Sequence, residues 1–470
     1  MPAGHSSDLT CRSSGRWRWS DASREATDTP TTATLETERM KDRYGLELST
    51  SSASAHDSYI EGIDRMLSAE AGVEECLSAA IAADPDFALP HAAFARQHQL
   101  YVRPAEARAS AETAVRLSQG ATVREQQHVE IVRLLVAGQV PRALDLIRQH
   151  VIDFPRDAFA LAPACGVFGA IGFSGRIGRE AELLAFLEPL VSHYGDDWWF
   201  ATVHAFALIE TGRWDRGRQL AERALEQRPR TPHGAHTLVH ALFEAGADDE
   251  AVDFLDGWLA GSDRASVLHC HIWWHYALVL MAVSRHDDAW QAFRNNCLPG
   301  ATTSPPITVF SDSTSFMWRS ALAGRPRHRD VWQQVREFYE ARFPQPMVFV
   351  DAHVGLMYAA LGETEQLQAC VAQLQELGEA AQLPAGTTGA NLTRAYAAFE
   401  IDDWATAIDV LEPLIPQVVR IGGSRAQRDL MTNTLLAAYV KADRPDDARA
   451  FLERVTDRQP SRPVQGLVAA

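Results

Sequence analysis

The 470-residue chain has few cysteines, fewer basic than acidic residues and no long apolar run. Its six cysteines are scattered without a CxxC pair, which favours reduced thiols over a disulfide scaffold and predicts a cytoplasmic protein. The formal net charge is −17, and Lys and Arg form no stripe, which opposes binding to nucleic acid. No segment approaches the roughly 18 to 20 apolar residues that span a bilayer, and the N-terminus lacks the apolar core of a secretory signal. Neither nucleic acid nor a membrane is therefore expected as a partner.

The two ends of the chain differ from its body in composition. Residues 1–39 are rich in Ser, Thr, Arg and Asp without an apolar period, so they are predicted to be a disordered leader. Helical patterning begins at Met40, which makes Met40 an alternative translation start to Met1 and the leader an artefact of the assigned start. The body is expected to span 40–458, and 459–470 is expected to be a flexible tail.

Alanine and leucine are abundant in the body, β-branched runs are scarce, and a repeating register is present. In this register, a small residue is followed by an alanine five positions later, by an apolar residue nine positions later and by a proline seventeen positions later. The clearest copies are Gly138 with Ala143, Ile147 and Pro155, and Gly212 with Ala221, Ala224 and Pro229. This period is typical of tetratricopeptide repeats, and roughly ten or eleven helix pairs fit between residues 56 and 458. The fold class predicted is all-α, an α-α superhelix (solenoid) of degenerate tetratricopeptide-like helix pairs. Such a chain unfolds with weak cooperativity unless the superhelix closes on itself.

Two stretches interrupt the register. Residues 298–308, LPGATTSPPIT, contain three prolines and a glycine, and no helix is expected to run through Pro305 and Pro306. Residues 383–391, LPAGTTGAN, form a second break before the last two pairs. Both are predicted connections between helices.

Two histidine pairs stand out within consecutive predicted helices. His236 with His240, and His271 with His275, have i, i+4 spacing, which places each pair on one helical face. Two such pairs beside Trp273 and Trp274 are typical of the wall of a site, although no known catalytic signature accompanies them.

Four segments together resemble the tetratricopeptide repeat protein 38 family: HTLVHALFEAG (236–246), HIWWHYAL (271–278), FVDAHVGLMYAALG (349–362) and GGSRAQRDL (422–430). The similarity extends from about Tyr44 to about residue 455. The resemblance implies a helical superhelix of degenerate repeats, and it implies no particular reaction or catalytic residue. The chain departs from the family at ALFEAGADDE (241–250), where many relatives have a methionine followed by a Gly-Arg turn.

In a superhelix of helix pairs, the first helix of each pair lines the inner, concave surface. The residues expected to reach this surface and to catalyse or bind a ligand are His204, His236, His240, His271, His275, Asp312, His353, Arg428 and Asp429, with Trp273, Trp274 and Trp318 as pocket walls. The function predicted is a concave pocket that binds a polar small molecule or a peptide. The alternative is an enzyme of specialised metabolism, of lyase, cyclase or hydrolase type. No oligomeric state is predicted.

Three interpretations of the histidines remain open. They are buried polar residues that fix the packing of repeats, or a ligand pocket with or without acid–base chemistry, or a divalent metal site of the HxxxH kind. The metal interpretation lacks the glutamate of HExxH, because Thr237 and Ile272 follow the first histidines. Apart from that metal, no cofactor is expected. Gly422, Gly423 and Ser424 resemble a phosphate-binding turn before a helix, or a plain serine cap.

We predict that deleting residues 1–39 leaves the helical circular dichroism and the melting temperature unchanged, because their composition cannot support a core. Thermal melts of the full chain and of a variant that starts at Met40 test this. A clearly lower melting temperature for the shorter variant would mean that the leader packs on the body.

Overall fold

The computed structural model describes residues 10–11, 17–18, 40–343, 348–455 and 464–465. Two two-residue strands, β1 (Thr10–Cys11) and β2 (Trp17–Arg18), pair antiparallel. Apart from these strands, the predicted disorder of 1–39 concerns residues outside the described ranges. The same holds for the tail 459–470, apart from Val464 and Gln465.

The body is helical throughout its described residues. Its α-helices are α1 (Ala53–Ser68), α2 (Val73–Ala83), α3 (Ala88–Leu100), α4 (Pro104–Leu117), α5 (Val123–Val136), α6 (Val140–Asp153), α7 (Ala158–Leu161), α8 (Arg179–Leu187), α9 (Val191–Tyr194), α10 (Trp198–Glu210), α11 (Trp214–Gln227), α12 (Pro232–Glu244), α13 (Asp248–Leu259), α14 (His269–Ala282), α15 (His286–Asn296), α16 (Pro306–Leu322), α17 (Arg329–Arg342), α18 (Val348–Leu361), α19 (Thr364–Glu379), α20 (Thr388–Glu400), α21 (Trp404–Leu414), α22 (Arg425–Lys441) and α23 (Pro445–Val455). Short 3-10 helices occupy Ser118–Gly120, Ala162–Ala164, Glu188–Leu190 and Ile415–Ile421.

Consecutive helices pack as antiparallel pairs, and each pair packs on the next. The predicted all-α superhelix of tetratricopeptide-like pairs is confirmed. The glycines predicted between the helices of a pair have left-handed backbone angles, with φ of +71° at Gly138, +82° at Gly212 and +69° at Gly246. Glycine adopts this conformation without a steric penalty, which favours the turn in these three pairs, whereas α14 and α15 turn at Ser284 with φ of +64°. The break at 298–308 also agrees, because α16 begins at Pro306.

The first helices of the pairs form a buried inner layer. Nearly every residue of α10, α12, α14 and α16 is buried, whereas α11 buries only Gly217, Ala221 and Ala224. A helix that is apolar around its whole circumference is stable only when neighbours cover all of its sides. The polar residues on the first helices are therefore placed inside the protein.

The superhelix is wound tightly enough for its first and last helices to contact the middle pairs. Helix α1 packs against α12, and α22 packs against α12 and α16. Where α1 ends, Ser266 Oγ donates to the Ala69 carbonyl at 2.9 Å, and Arg228 forms a bidentate ion pair with Glu70 at 2.9 and 2.7 Å. The inner side of the middle pairs is thus covered by other helices of the same chain.

Residues 162–178, the central segment, contribute to this closure and were not predicted. Glycine occurs there at every third position from 166 to 178. Close approaches require some of them: a Cβ on Gly175 would lie 2.1 Å from the Pro384 carbonyl oxygen. Phe168 packs against Phe349 with ring centroids 5.1 Å apart. Directly after the segment, the buried Arg179 donates to the Val419 carbonyl at 2.8 Å and to the Gly423 carbonyl. The segment therefore joins the N-terminal pairs to the C-terminal pairs.

The hydrophobic core consists of two clusters that meet at α10 and α11. One extends from Tyr44 to Ala224 and the other from Ala205 to Val464. No described helix is long and apolar enough to cross a membrane.

We predict that the chain unfolds in a single transition, because the closing contacts couple the two core clusters. Far-ultraviolet circular dichroism and tryptophan fluorescence should give the same midpoint. Arg179→Ala should lower that midpoint for both probes, since it removes two hydrogen bonds that a buried guanidinium donates across the closure, each worth about 1.5–3 kcal/mol. Arg176→Ala is the control, because Arg176 pairs with Glu182 on the surface and its loss should cost less than about 0.5 kcal/mol. Two separated transitions would show that the clusters unfold independently.

Candidate functional site

The two histidine pairs meet between adjacent first helices. His236 and His240 project from α12 toward His271 and His275 on α14, and all four side chains are buried. Each ring offers one nitrogen, and these four nitrogens lie within 4.8 Å of one another. The i, i+4 spacing places each pair on one face, and the packing of α12 on α14 makes the two faces meet. We call these four residues the histidine cluster.

Within the histidine cluster, the rings approach one another closely. His240 Nε2 lies 3.0 Å from His236 Nε2, and the ring centroids of His240 and His275 are 4.5 Å apart. One of the two facing Nε2 atoms must carry a proton, because two lone pairs at this distance repel each other. Burial, together with the neighbouring His240 and His271, lowers the pKa of His236 well below its usual value. The His236 ring is therefore neutral at pH 7.

Acidic side chains on neighbouring first helices lie beside two members of the cluster, and one of them, Asp312, orients His271. Asp312 on α16 is buried, and its Oδ2 lies 2.8 Å from His271 Nδ1. Burial raises the pKa of Asp312, and His271 opposes that change. A carboxylate oxygen accepts a hydrogen bond, so His271 carries its proton on Nδ1 and keeps the Nε2 lone pair. On the other side, Glu210 Oε1 lies 3.7 Å from His240 Nδ1.

A layer of charged residues from α22 lies behind Glu210. Glu210 Oε2 accepts from the Arg425 backbone N–H at 2.9 Å, and Glu244 Oε2 lies 3.0 Å from Arg425 Nε. Burial and the nearby Glu180 and Glu244 raise the pKa of Glu210 to about 8. Arg428, a predicted site residue, pairs with Glu180 and lies in this layer, outside the histidine cluster.

The possible anion site at the start of α22 is occupied by the protein's own groups. Ser424 and Gln427 form a capping box, with Ser424 Oγ accepting from Gln427 N at 3.2 Å and Gln427 Oε1 from Ser424 N at 2.9 Å. Glu210 accepts the next free N–H, that of Arg425. A carboxylate thus fills the position that a bound phosphate would take.

Aromatic rings enclose the histidine cluster. Trp274 stacks on His271 with centroids 5.1 Å apart and planes 10° apart, and the Arg319 guanidinium lies 5.5 Å from the Trp274 centroid. Phe206 contacts the rings of both His236 and His240, with centroids 5.7 and 4.9 Å away. These contacts keep water from most of the imidazole surface.

Two predicted histidines lie apart from the cluster. His204 is buried on α10, but its ring faces Phe200, and its charged neighbours are Arg216 and Glu188. His353 on α18 bonds through Nδ1 to the Phe349 carbonyl at 2.8 Å, and burial lowers its pKa to about 4. The sequence grouped them with the others because all lie on first helices. Helix rotation separates them from the cluster. On α10, Phe206 and Glu210, which lie two and six residues after His204, face α12 instead.

The remaining predicted residues have packing positions. Trp318 is buried and donates from Nε1 to Thr434 Oγ1 at 2.9 Å, which joins α16 to α22. Trp273 is half-buried and meets Tyr276 edge-on at 5.6 Å. Asp429 on α22 is half-buried.

A cavity of about 320 Å³ adjoins the cluster at His236. Its lining is mostly apolar and comes from α1 and the residue after it, Ala69, from α3, α7, α10 and α12, and from the central segment and Val267–Leu268. Trp199 is the tryptophan in this lining, whereas the predicted walls Trp273, Trp274 and Trp318 lie elsewhere. His236 is thus shared between the histidine cluster and the cavity lining.

Glu210, Glu244 and Arg96 were missed by sequence reasoning. The two glutamates share a signal, since each ends a first helix two residues before the turn glycine. Acidic residues are unfavourable at a helix C-terminus, where the macrodipole is negative. Their presence at this position therefore predicts a compensating contact with another group. Arg96 has no comparable signal, because its place in the cavity depends on how α3 packs against distant helices.

Several solved structures of helical repeat proteins are similar to this chain along most of its length. The human IFIT1 dimer with PPP-AAAA is 15% identical, covers 89% of this chain and 97% of that chain, and has a TM-score of 0.35. Yeast Tom70 is 10% identical, with 86% and 84% covered and a TM-score of 0.30. The P58(IPK) TPR domain is 14% identical, with 86% and 100% covered and a TM-score of 0.20. At these identities and scores the similarities carry no argument about function. No protein-family model matches the chain.

Proposed function

We propose that His236, His240, His271 and His275 bind one divalent transition-metal ion, and that this ion acts on a molecule held in the adjoining cavity. The observation that carries the proposal is the convergence of four buried ring nitrogens within 4.8 Å of one another. Imidazole is a good ligand for zinc, copper, iron and nickel. Burying four polar rings against one another is otherwise costly, because each ring gives up its hydrogen bonds to water.

The distances suit an ion without a large rearrangement. A tetrahedral zinc ion with Zn–N distances of about 2.1 Å places its ligand nitrogens roughly 3.4 Å apart. The nitrogens of the histidine cluster therefore need to move by no more than roughly 1 Å, which side-chain rotation supplies. Binding would also replace the His236–His240 contact at 3.0 Å, in which one ring must now carry a proton.

The surrounding carboxylates suit the same role. Ligand imidazoles usually donate their second N–H to a carboxylate, which fixes the tautomer and raises the basicity of the ligand. Asp312 holds His271 in this way, and Glu210 approaches His240. Burial raises the pKa of both acids, and an ion bound at the cluster would favour their charged forms, which would then balance its charge.

The cavity supports a functional ion over a purely structural one. His236 belongs both to the histidine cluster and to the cavity lining. An ion with more than four coordination positions would retain one for a molecule that enters from this side. The first helices α12, α14 and α16 are covered by other helices, so a small molecule in the cavity fits better than an extended peptide along their inner faces.

We also propose that the chain belongs to the tetratricopeptide repeat protein 38 family. Three of the four segments that resemble this family contribute to one region: two carry the histidine cluster, and GGSRAQRDL (422–430) carries Arg425, the partner of Glu210 and Glu244.

We predict that protein prepared without chelator contains about one transition-metal ion per chain, measured by elemental mass spectrometry. His240→Ala combined with His271→Ala should abolish this metal, because two ligands cannot hold it. The control is His204→Ala, which removes a buried histidine of a first helix outside the cluster and should retain the metal.

The alternative, in which the histidines only fix the packing of repeats, gives a different result. The wild type would then be free of metal and would gain no thermal stability from added Zn²⁺, Fe²⁺, Ni²⁺ or Cu²⁺. The double variant would lose stability at about 1–3 kcal/mol for each partner left unsatisfied. That combination would contradict the proposal.

We predict that Asp312→Asn lowers the metal affinity by about 10- to 100-fold while the circular dichroism stays unchanged, because the carboxylate no longer orients His271. Competition with a chromophoric chelator measures the affinity. Asp312→Glu should restore part of it. Asp256→Asn is the control, because Asp256 accepts from the Tyr276 hydroxyl on the outer side of the protein. An unchanged affinity in Asp312→Asn would remove Asp312 from the site.

A further inference from the structure

The lining of the 320 Å³ cavity combines a large apolar surface with one cationic side chain. Its apolar part includes Phe159, Phe168, Trp199, Val203, Phe206 and Leu268. The polar side chains in the lining are Arg96, Cys165, His233 and His236. Aspartate and glutamate are absent from this lining. A volume near 300 Å³ lies at the lower end of the range for small-molecule sites.

Arg96 is the only charged group among these four at pH 7. Burial lowers the pKa of His233 and raises the pKa of Cys165 to about 12, so these two side chains are neutral. His233 also lies with Nδ1 3.1 Å from the Leu67 carbonyl. Burial lowers the pKa of Arg96 only to about 10, which leaves its guanidinium protonated. The lining therefore carries one positive side chain and no aspartate or glutamate.

The guanidinium of Arg96 has one hydrogen-bond partner, the side-chain oxygen of Gln99, among the described residues. No carboxylate of the described residues forms an ion pair with it. Arg96 is half-buried, and a partly buried cation without a counter-ion can gain from pairing with an anion. Guanidinium groups match carboxylates geometrically, because two parallel N–H groups meet two oxygens.

The position of Arg96 orients a ligand. Leu100 lies one helical turn after Arg96 on the same face of α3 and is 37% exposed, which puts an opening of the cavity near this turn. His236 is only 8% exposed and belongs to the inner layer. A molecule with one charged end and one apolar end would place its charge near the opening and its apolar body inward, toward His236.

We propose that the cavity binds an apolar monocarboxylate, whose carboxylate pairs with Arg96 and whose aliphatic or aromatic body lies among Phe159, Trp199 and Phe206. The carboxylate of the ligand pairs with Arg96 and does not coordinate the metal, so binding of the ligand does not require the ion. The substrate class of the proposed metal centre is therefore an apolar acid whose uncharged end reaches the ion. This last step rests on the proposed metal site, whereas the binding step does not.

The test is isothermal titration calorimetry with 4-phenylbutyrate and with 4-phenylbutanol, which has the same body without the charge. We expect the wild type to bind the acid at least about tenfold more tightly than the alcohol, the effect of one charge-assisted hydrogen-bonded pair. Arg96→Gln should remove this preference and leave the alcohol affinity unchanged. Arg103→Gln is the control, because Arg103 precedes α4, lies outside the lining and pairs with Glu74; it should keep the preference. Val203→Trp fills the cavity and should weaken both ligands.

Chelator-treated protein and the His240→Ala, His271→Ala variant separate this proposal from the metal proposal. We expect both to bind 4-phenylbutyrate as the wild type does, and this result would stand even if the wild type contained no metal. Loss of acid binding in these two samples, with binding retained in Arg96→Gln, would assign the carboxylate to the metal and overturn the role of Arg96. Equal affinity for acid and alcohol, or no binding of either, would overturn the proposal as a whole.

Discussion

The contact between α12 and α14 is the constraint on which the site depends. Both helices are buried on all sides, so the histidines at their interface have no access to bulk water. Burial lowers the pKa of His236, which keeps this imidazole neutral. The four ring nitrogens lie within 4.8 Å of one another, which is the arrangement that carries the proposal of a metal site. The same burial that makes the cluster unfavourable for empty packing makes it favourable for an ion.

The closure of the superhelix completes this environment. An open solenoid would leave the inner faces of α10, α12 and α14 in solvent, where Glu210 and Glu244 would be hydrated. Because α22 packs against α12, Arg425 meets both glutamates, and burial raises the pKa of Glu210. The charged layer behind the cluster thus exists only because the C-terminal pairs return to the middle of the chain. The central segment contributes to the same end, since Arg179 bonds to carbonyls just before α22.

The cavity has a similar origin. Its walls come from α1, α3, α10 and α12 and from the central segment, which are distant in sequence. The part of the central segment with glycine at every third position forms no α-helix and packs close to other backbone. It therefore forms a wall of the cavity and does not fill it. The cavity beside His236 is therefore mostly apolar, which suits the apolar ligand proposed for it.

The sequence by itself determined the parts that depend on local periodicity. The apolar period, the turn glycines such as Gly138 and Gly212, and the proline at the start of α16 were sufficient for the helix pairs and for the fold class. The i, i+4 spacing also determined that each histidine pair shares one face. These features depend on residues a few positions apart, and helix geometry converts such spacing directly into position.

Only the tertiary structure decided which faces meet. Helix rotation separated His204 from the cluster and brought Phe206 and Glu210 to it, although all three lie on α10. Closure placed Arg425 against the two glutamates and Arg96 in the same cavity as His236. Contacts of this kind join residues more than 100 positions apart, and they depend on the small rotation between successive pairs summed over the whole superhelix. No local pattern encodes that sum, because a change of a few degrees per pair would leave every helix intact and would move the ends of the chain away from its middle.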